Sequence, residues 1–210
     1  MIFRLNLNDD GFPDPSLAEE DGLLAVGGDL RPSRLVAAYR NGIFPWHQHQ
    51  GVFGWYAPHE RFVLYPSELR LSKSMRQVMR SGRFTVTRNQ AFRQVIEACA
   101  LQPRPGQDGT WIDADMQYAY IALHEAGYAQ SVETWLDGAL VGGLYGVVIG
   151  TVFCGESMFS LAANASKVAF ANLCLSGEFS LVDCQVYSDH LASLGARMIA
   201  RDEYMAHLKK

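Results

Sequence analysis

From about residue 61 the apolar positions change period several times. Helical spacing marks 72–80, 89–101, 113–126, 164–176 and 188–194, where apolar side chains return every three or four positions. Asn89, Asp113 and Asn164 stand at the starts of three of these segments as capping residues, and Gly127 and Gly195 stand after two of their ends. Alternating or continuous apolar runs mark strands at 84–87, 130–135, 139–148, 151–155, 179–184 and 197–200. Asp137-Gly138 between the second and third of these predicts a hairpin. Strands and helices intermix with adjacent hairpins, so the expected class is α+β with a mixed sheet. Residues 1–60 are rich in Gly, Pro and aromatics and show one clear helix at 33–41, opened by Pro32 and closed by Gly42. The expected organisation is a small loop-rich domain at 1–62 and a larger domain at 63–210, with a flexible loop at 102–109.

The stretch VGGLYGVVIGTVFCGESMFSLAANASK at 141–167 holds the most chemistry. Gly146, Gly150 and Gly155 interrupt its apolar run, so it reads as two buried strands, a tight turn, a polar loop and a helix. Glu156 then falls where the second strand meets the loop, a place where functional groups are often carried. Its neighbours Phe153, Met158 and Phe159 read either as core or as the wall of a cleft. G-x-S-x-G is not completed here, because Phe159 holds the last position. In LVDCQ, Asp183 and Gln185 stand two apart at a strand end and are expected on one side, where they could grip an amine or a ribose; they read equally as turn caps.

Charge changes the picture. The net charge is −4, but residues 61–104 hold nine basic and two acidic side chains, while 105–210 hold five and twelve. Between Leu69 and Ile96 there are seven Arg or Lys and no acid. Lys73, Arg76 and Arg80 share one helical face, with Arg83 and Arg88 just beyond. The segment reads as a solvated face or, because it forgoes the usual mixing of signs, equally as a phosphate-binding surface. Trp46 and Trp111, read as lying outside regular elements, could stack on a base, or each could simply pack.

Other classes lose ground. No apolar run approaches the ~18 residues of a membrane span, and the first residues show no apolar leader, so a cytoplasmic protein is expected. Cys99, Cys154, Cys174 and Cys184 are scattered and read as reduced thiols. His47 and His49 lack further ligands at fitting spacings, so no metal is expected.

Seven segments occur in order: GLLAVGGDL (22–30), RLVAAYRNGIFPW (34–46), TWI (110–112), LVGGLYGV (140–147), FCGESMFS with NASK (153–167), VDCQ (182–185) and HLASLGA (190–196). Together they strongly resemble the leucyl/phenylalanyl-tRNA–protein transferase family, along nearly the whole chain. The resemblance implies a small N-terminal domain and a GNAT-like acyltransferase domain. It implies transfer of Leu or Phe from aminoacyl-tRNA to proteins beginning with Arg or Lys, marking them for degradation by the N-end rule. It implies no cofactor, and a monomer is expected. Carried over motif by motif, Asp183 and Gln185 become the catalytic pair with Glu156 nearby. Trp46, Trp111, Leu144, Phe153, Gly155, Met158, Phe170 and Leu173 would surround the aminoacyl-adenosine. Lys73, Arg76, Arg80, Arg83 and Arg88 would meet the tRNA backbone. The chain departs from the family pattern at 55–58, where Trp-Tyr-Ala-Pro replaces Trp-Trp-Ser-Pro, and in a shorter segment before VDCQ.

An aminoacyl ester is already activated, so aminolysis needs a neutral amine, placement and help for the leaving oxygen. An α-amine with a pKa of about 8 keeps a useful neutral fraction, and placement can supply much of the rate. A neutral amide is a poor base, so Gln185 is expected to accept a hydrogen bond from the amine, with Asp183 orienting it. On that expectation Gln185→Glu keeps more activity than Gln185→Ala. A cationic N-terminus would be drawn to the acidic C-terminal region, with Glu156 and Asp183 as contacts. Two rivals stand beside this. A CoA-dependent acyltransferase would show a glycine-rich pyrophosphate loop opening a helix, and none is seen. A non-catalytic RNA-binding module leaves Glu156, Asp183 and Gln185 without a task.

Overall fold

The computed structural model describes residues 2–49, 52–102 and 111–209, without the side chains at 47–49. The expected loop at 102–109 lies almost wholly outside the described residues, as do the side chains of His47 and His49.

Two sheets organise the chain. The smaller has strand order β1 (Phe3–Leu5), β2 (Leu23–Gly27), β4 (Val52–Tyr56), β3 (Phe44–His49) and carries helix α1 (Pro32–Arg40) between β2 and β3. The larger has seven strands: β11 (Arg197–Ala200), β5 (Glu60–Leu64), β10 (Leu181–Gln185), β9 (Val152–Ser160), β8 (Ala139–Ile149), β7 (Ala129–Leu136) and β6 (Thr85–Arg88). Only β9 and β10 run parallel in it; its other neighbours are antiparallel. This is the mixed α+β class that the pattern predicts.

Alternation along the strands divides the core between the two faces of the large sheet. Tyr145, Val147, Cys154 and Phe159 pack with α3 (Phe92–Ala100), α4 (Ala114–Glu125), α1 and the small sheet. Leu144, Phe153 and Val182 pack on the other face with Ala169, Phe170, Leu173 and Cys174 of α5 (Ala165–Leu175). The first cluster joins both sheets, so α1 is buried against the larger one through Tyr39. The four cysteines are free thiols.

Several expectations are met closely. Asp137 and Gly138 both take positive φ, 50° and 79°, in the β7–β8 turn. Asp113 accepts from a backbone N–H at the start of α4, as expected; the structure adds Ser72 and Ser188, which do the same for α2 (Lys73–Arg80) and α6 (Asp189–Ser193). Others are corrected. Asn89 does not cap α3, which starts at Phe92; its Oδ1 accepts from the Ser131 N–H at 2.9 Å, tying the loop to β7. Asn164 precedes α5 with φ 70° and makes no capping bond. Trp46 lies in β3, not a loop. The strand expected at 151–155 runs on to Ser160. Helix α7 (Arg201–Leu208) and the strands β1 to β5 went unpredicted.

Candidate active site

Two irregularities build the site. Along β8 and β9, Tyr145 pairs with Ser157 and Gly146 with Gly155, so Glu156 has no partner and forms a β-bulge. Glu156 therefore lies inside a strand, not at its end as expected, and the bulge re-aims its side chain. The bulge needs glycine at 146: a Cβ there would lie 2.3 Å from the Cys154 carbonyl oxygen and 2.6 Å from the Phe153 ring. A second shift falls between Asp183 and Gln185 against β5. Pairing of β9 with β10 ends at Cys154 and Asp183, so beyond that point the two parallel strands part.

A cavity of about 340 Å³ opens where they separate. Leu144, Phe153, Gly155, Met158 and Phe170 line it, together with Glu156, Asp183, Val182, Val186, His190 and Leu191. Five of the eight residues expected around an aminoacyl-adenosine are thus brought together. Leu173 sits behind the wall in the same apolar cluster. Trp46 and Trp111 are half-buried and lie outside the lining; Trp46 packs edge-on to Tyr56 at 5.5 Å.

Glu156 is 8% exposed and is held by three donors. Oε1 accepts from the Tyr39 hydroxyl at 2.7 Å and from Gln185 Nε2 at 2.7 Å; Oε2 accepts from the Tyr120 hydroxyl at 2.9 Å. Burial, with the Asp183 charge adding to it, lifts the carboxyl to about 7, while the three donors pull the other way. Burial and the nearby Glu156 charge keep both phenols well above their usual range, so they remain donors.

Asp183 and Gln185 do not present their side chains side by side. Gln185 adopts φ 62°, which a non-glycine residue rarely takes. Its backbone N–H donates to Asp183 Oδ1 at 2.8 Å, while its amide turns to Glu156. Asp183 is fully buried; Oδ2 accepts from Arg61 Nε at 3.1 Å and from the Tyr204 hydroxyl at 2.8 Å. Arg61 lies between the Phe44 and Tyr204 rings, at 4.6 and 4.5 Å, and donates to the Gly42 carbonyl at 2.9 Å. The Asp183 carboxylate is thus committed to Arg61, Tyr204 and the Gln185 backbone N–H. What it does is fix the backbone that carries Gln185.

Sequence reasoning missed Tyr39, Tyr120, Arg61 and Tyr204. They come from α1, α4, β5 and α7, so no local spacing links them to the VDCQ segment. A buried arginine just before an apolar strand run is a faint signal, and Tyr39 and Tyr120 lie at helical positions indistinguishable from core.

The basic segment folds as expected. Lys73, Arg76, Arg80 and Arg83 are exposed on and just after α2, and Lys73, Arg76 and Arg80 form no ion pair among the described residues. Arg88 differs: it is half-buried and pairs with Glu178 at 2.6 Å. Among the described residues there is no group of three potential metal ligands, and no helix is long and apolar enough to cross a membrane.

Comparison with known proteins agrees along the length of the chain. The profile of the family described as leucyl/phenylalanyl-tRNA protein transferase matches residues 63–209, and that of its N-terminal domain matches 28–59. A leucyl/phenylalanyl-tRNA–protein transferase of Dechloromonas aromatica (strain RCB) is 55% identical over 204 residues, covering 95% of this chain and 87% of the relative. One of Syntrophus aciditrophicus (strain SB) is 56% identical over 202 residues, covering 95% and 84%. Among solved structures, FemX matches with TM-score 0.53 at 10% identity, over 68% of this chain and 60% of that one. At that identity the likeness concerns the fold alone. The chain belongs to the leucyl/phenylalanyl-tRNA protein transferase family, aminoacyltransferases that move an amino acid from tRNA to a protein.

Proposed function

We propose that aminoacyl transfer takes place at the mouth of the β9–β10 cavity, with Gln185 as the residue that meets the attacking amine. The observation that carries this is the contact of Gln185 Nε2 with Glu156 Oε1 at 2.7 Å. A carboxylate can only accept, so it takes the NH2 end of the amide and leaves Oε1 of Gln185 free for another donor. That oxygen suits a neutral amine, whose N–H it can receive while the nitrogen lone pair attacks the ester carbonyl; as the amide bond forms, the ester C–O bond breaks and the departing ribose oxygen takes up the proton that the nitrogen loses. Placement of the amine, not proton abstraction by an amide, then provides the acceleration. Asp183, secured by Arg61 and Tyr204, acts through the Gln185 backbone. The apolar walls formed by Leu144, Phe153, Met158 and Phe170 take a Leu or Phe side chain.

The exposed cations of α2 serve the tRNA. Replacing Lys73, Arg76 and Arg80 together by alanine is expected to weaken tRNA binding and to lower the slope of log affinity against log salt by about one per cation removed. Filter binding over a salt series measures this; an unchanged slope would remove α2 from the interface.

The acceptor is a protein with N-terminal Arg or Lys, drawn by the net negative C-terminal half and by Glu156 at the cavity. The test is transfer of labelled leucine to one protein made with Arg, Lys or Ala at its N-terminus. Labelling of the Arg and Lys forms alone supports the reading, and equal labelling of the Ala form overturns it.

A further inference from the structure

We propose, resting on the reading of Gln185 above, that Tyr39 and Tyr120 are positioning residues that hold Glu156 as a carboxylate, and that protonation of Glu156 frees the Gln185 amide to turn over and stops transfer. While Glu156 is ionised, only the NH2 end of the amide can face it, so Oε1 of Gln185 points away. Once Glu156 is protonated, its O–H can donate to that same Oε1. The amide can then turn its NH2 group outward, and a donor there cannot receive an amine N–H.

The two phenols make the proton easy to accommodate. Tyr39, Tyr120 and Glu156 form three mutual oxygen contacts, including a short one between the two hydroxyls. Two phenolic protons fill only two of these contacts. A proton added on Glu156 Oε1 donates to Gln185, and Tyr39 can then turn its own proton to Tyr120 while Tyr120 keeps donating to Oε2. In the ionised state both phenols instead donate to the carboxylate and stabilise it, as hydrogen bonds to a charge do. The cluster therefore supports both states, and the phenols tilt the balance toward the carboxylate against its burial.

The surroundings are consistent with this assignment. Asp183 on β10 and Cys154 on β9 interact electrostatically with Glu156, and Tyr145 of β8 meets Tyr120 edge-on at 5.6 Å. Arg61 and Tyr204 stand behind Asp183. His190, on α6, belongs to the cavity wall; burial lowers its pKa. Tyr39 is supplied by α1, so the N-terminal unit contributes directly to the chemistry of a site otherwise built by the large sheet and α4.

The test is the pH dependence of single-turnover transfer with saturating charged tRNA and one acceptor, for wild type, Tyr39→Phe and Tyr120→Phe. The α-amine of the acceptor titrates in all three alike, so a difference between them belongs to the protein. Losing a donor to the carboxylate raises the pKa of Glu156. The acid limb of each Phe variant should therefore move to higher pH, by about one unit, and the rate deficit should shrink as the pH rises. In parallel, infrared spectroscopy should show a protonated-carboxyl band, assigned by its loss in Glu156→Gln, that titrates with the limb and moves with it. Equal loss of rate at every pH with an unmoved band would reduce the tyrosines to packing and overturn the proposal. If a Phe variant fails to fold, the wild-type band decides: its absence on both sides of neutrality is equally fatal. Failure of the underlying reading looks different, because Gln185→Ala would then transfer as fast as wild type.

Discussion

Arg61→Ala is expected to destabilise the protein by about 3–5 kcal/mol, the cost of leaving a buried charge without its partner. The guanidinium is 2% exposed, lies 3.1 Å from Asp183 Oδ2 and fills the space between the Phe44 and Tyr204 rings. Its removal leaves a fully buried carboxylate with only the Tyr204 hydroxyl and the Gln185 N–H as donors. It also removes the donor to the Gly42 carbonyl, which ties the turn after α1 to β5. Urea denaturation should show a lower midpoint. Transfer should fall even at temperatures where the variant is folded, because the Asp183 carboxylate sets the left-handed Gln185 backbone. A loss below about 1 kcal/mol would mean that the pair does not anchor the site.

The second large effect separates two replacements of Gln185. Gln185→Ala is expected to lower the transfer rate by about 100-fold or more, the range found when one positioned polar group is removed from a reacting centre, with tRNA affinity kept. Gln185→Glu is expected to do no better at neutral pH, which reverses the ranking drawn from sequence. The reason is the 2.7 Å contact with Glu156. A second carboxylate there cannot ionise beside the first, so the pair retains a proton and one carboxyl pKa rises far above its unfolded value. The sign follows by linkage: a carboxyl with a raised folded pKa loses its stability contribution as pH rises through that pKa. Gln185→Glu should therefore melt further below wild type at alkaline than at mildly acidic pH. Thermal melts across that range check it, and a constant difference would show that the two side chains separate.

How much of this was legible in the chain depends on the distance over which each signal acts. The β7–β8 turn at Asp137-Gly138 and the Asp113 cap depend on neighbours within a few residues, and they appear where the pattern places them. Asn89 carries the same local signal but is taken by Ser131 on a paired strand, a competition that no local window contains. The short strands of the first 60 residues are hidden by glycine, proline and aromatics, and they exist because they pair with one another and bury α1. Glu156 and Gln185 stood out as polar residues in apolar runs. Their mutual contact did not, because alternation was broken at 156 by the bulge and after 183 by the second shift. Motif resemblance identified the family, yet the partners that hold the site, Tyr39, Arg61, Tyr120 and Tyr204, become visible only once the sheet brings β5, β9 and β10 together.

In the proposed reading, transfer depends on the amide oxygen of Gln185, held by its NH2 end against Glu156 of the cavity lining. The most direct measurement is single-turnover transfer of labelled leucine from Leu-tRNA to a protein beginning with Arg, by wild type and by Gln185→Ala, with tRNA binding measured on the same samples. The account predicts rapid labelling by wild type and a loss of about two orders of magnitude in the variant, with charged tRNA bound equally well by both. Labelling by Gln185→Ala at the wild-type rate would contradict it and place the reacting amine elsewhere.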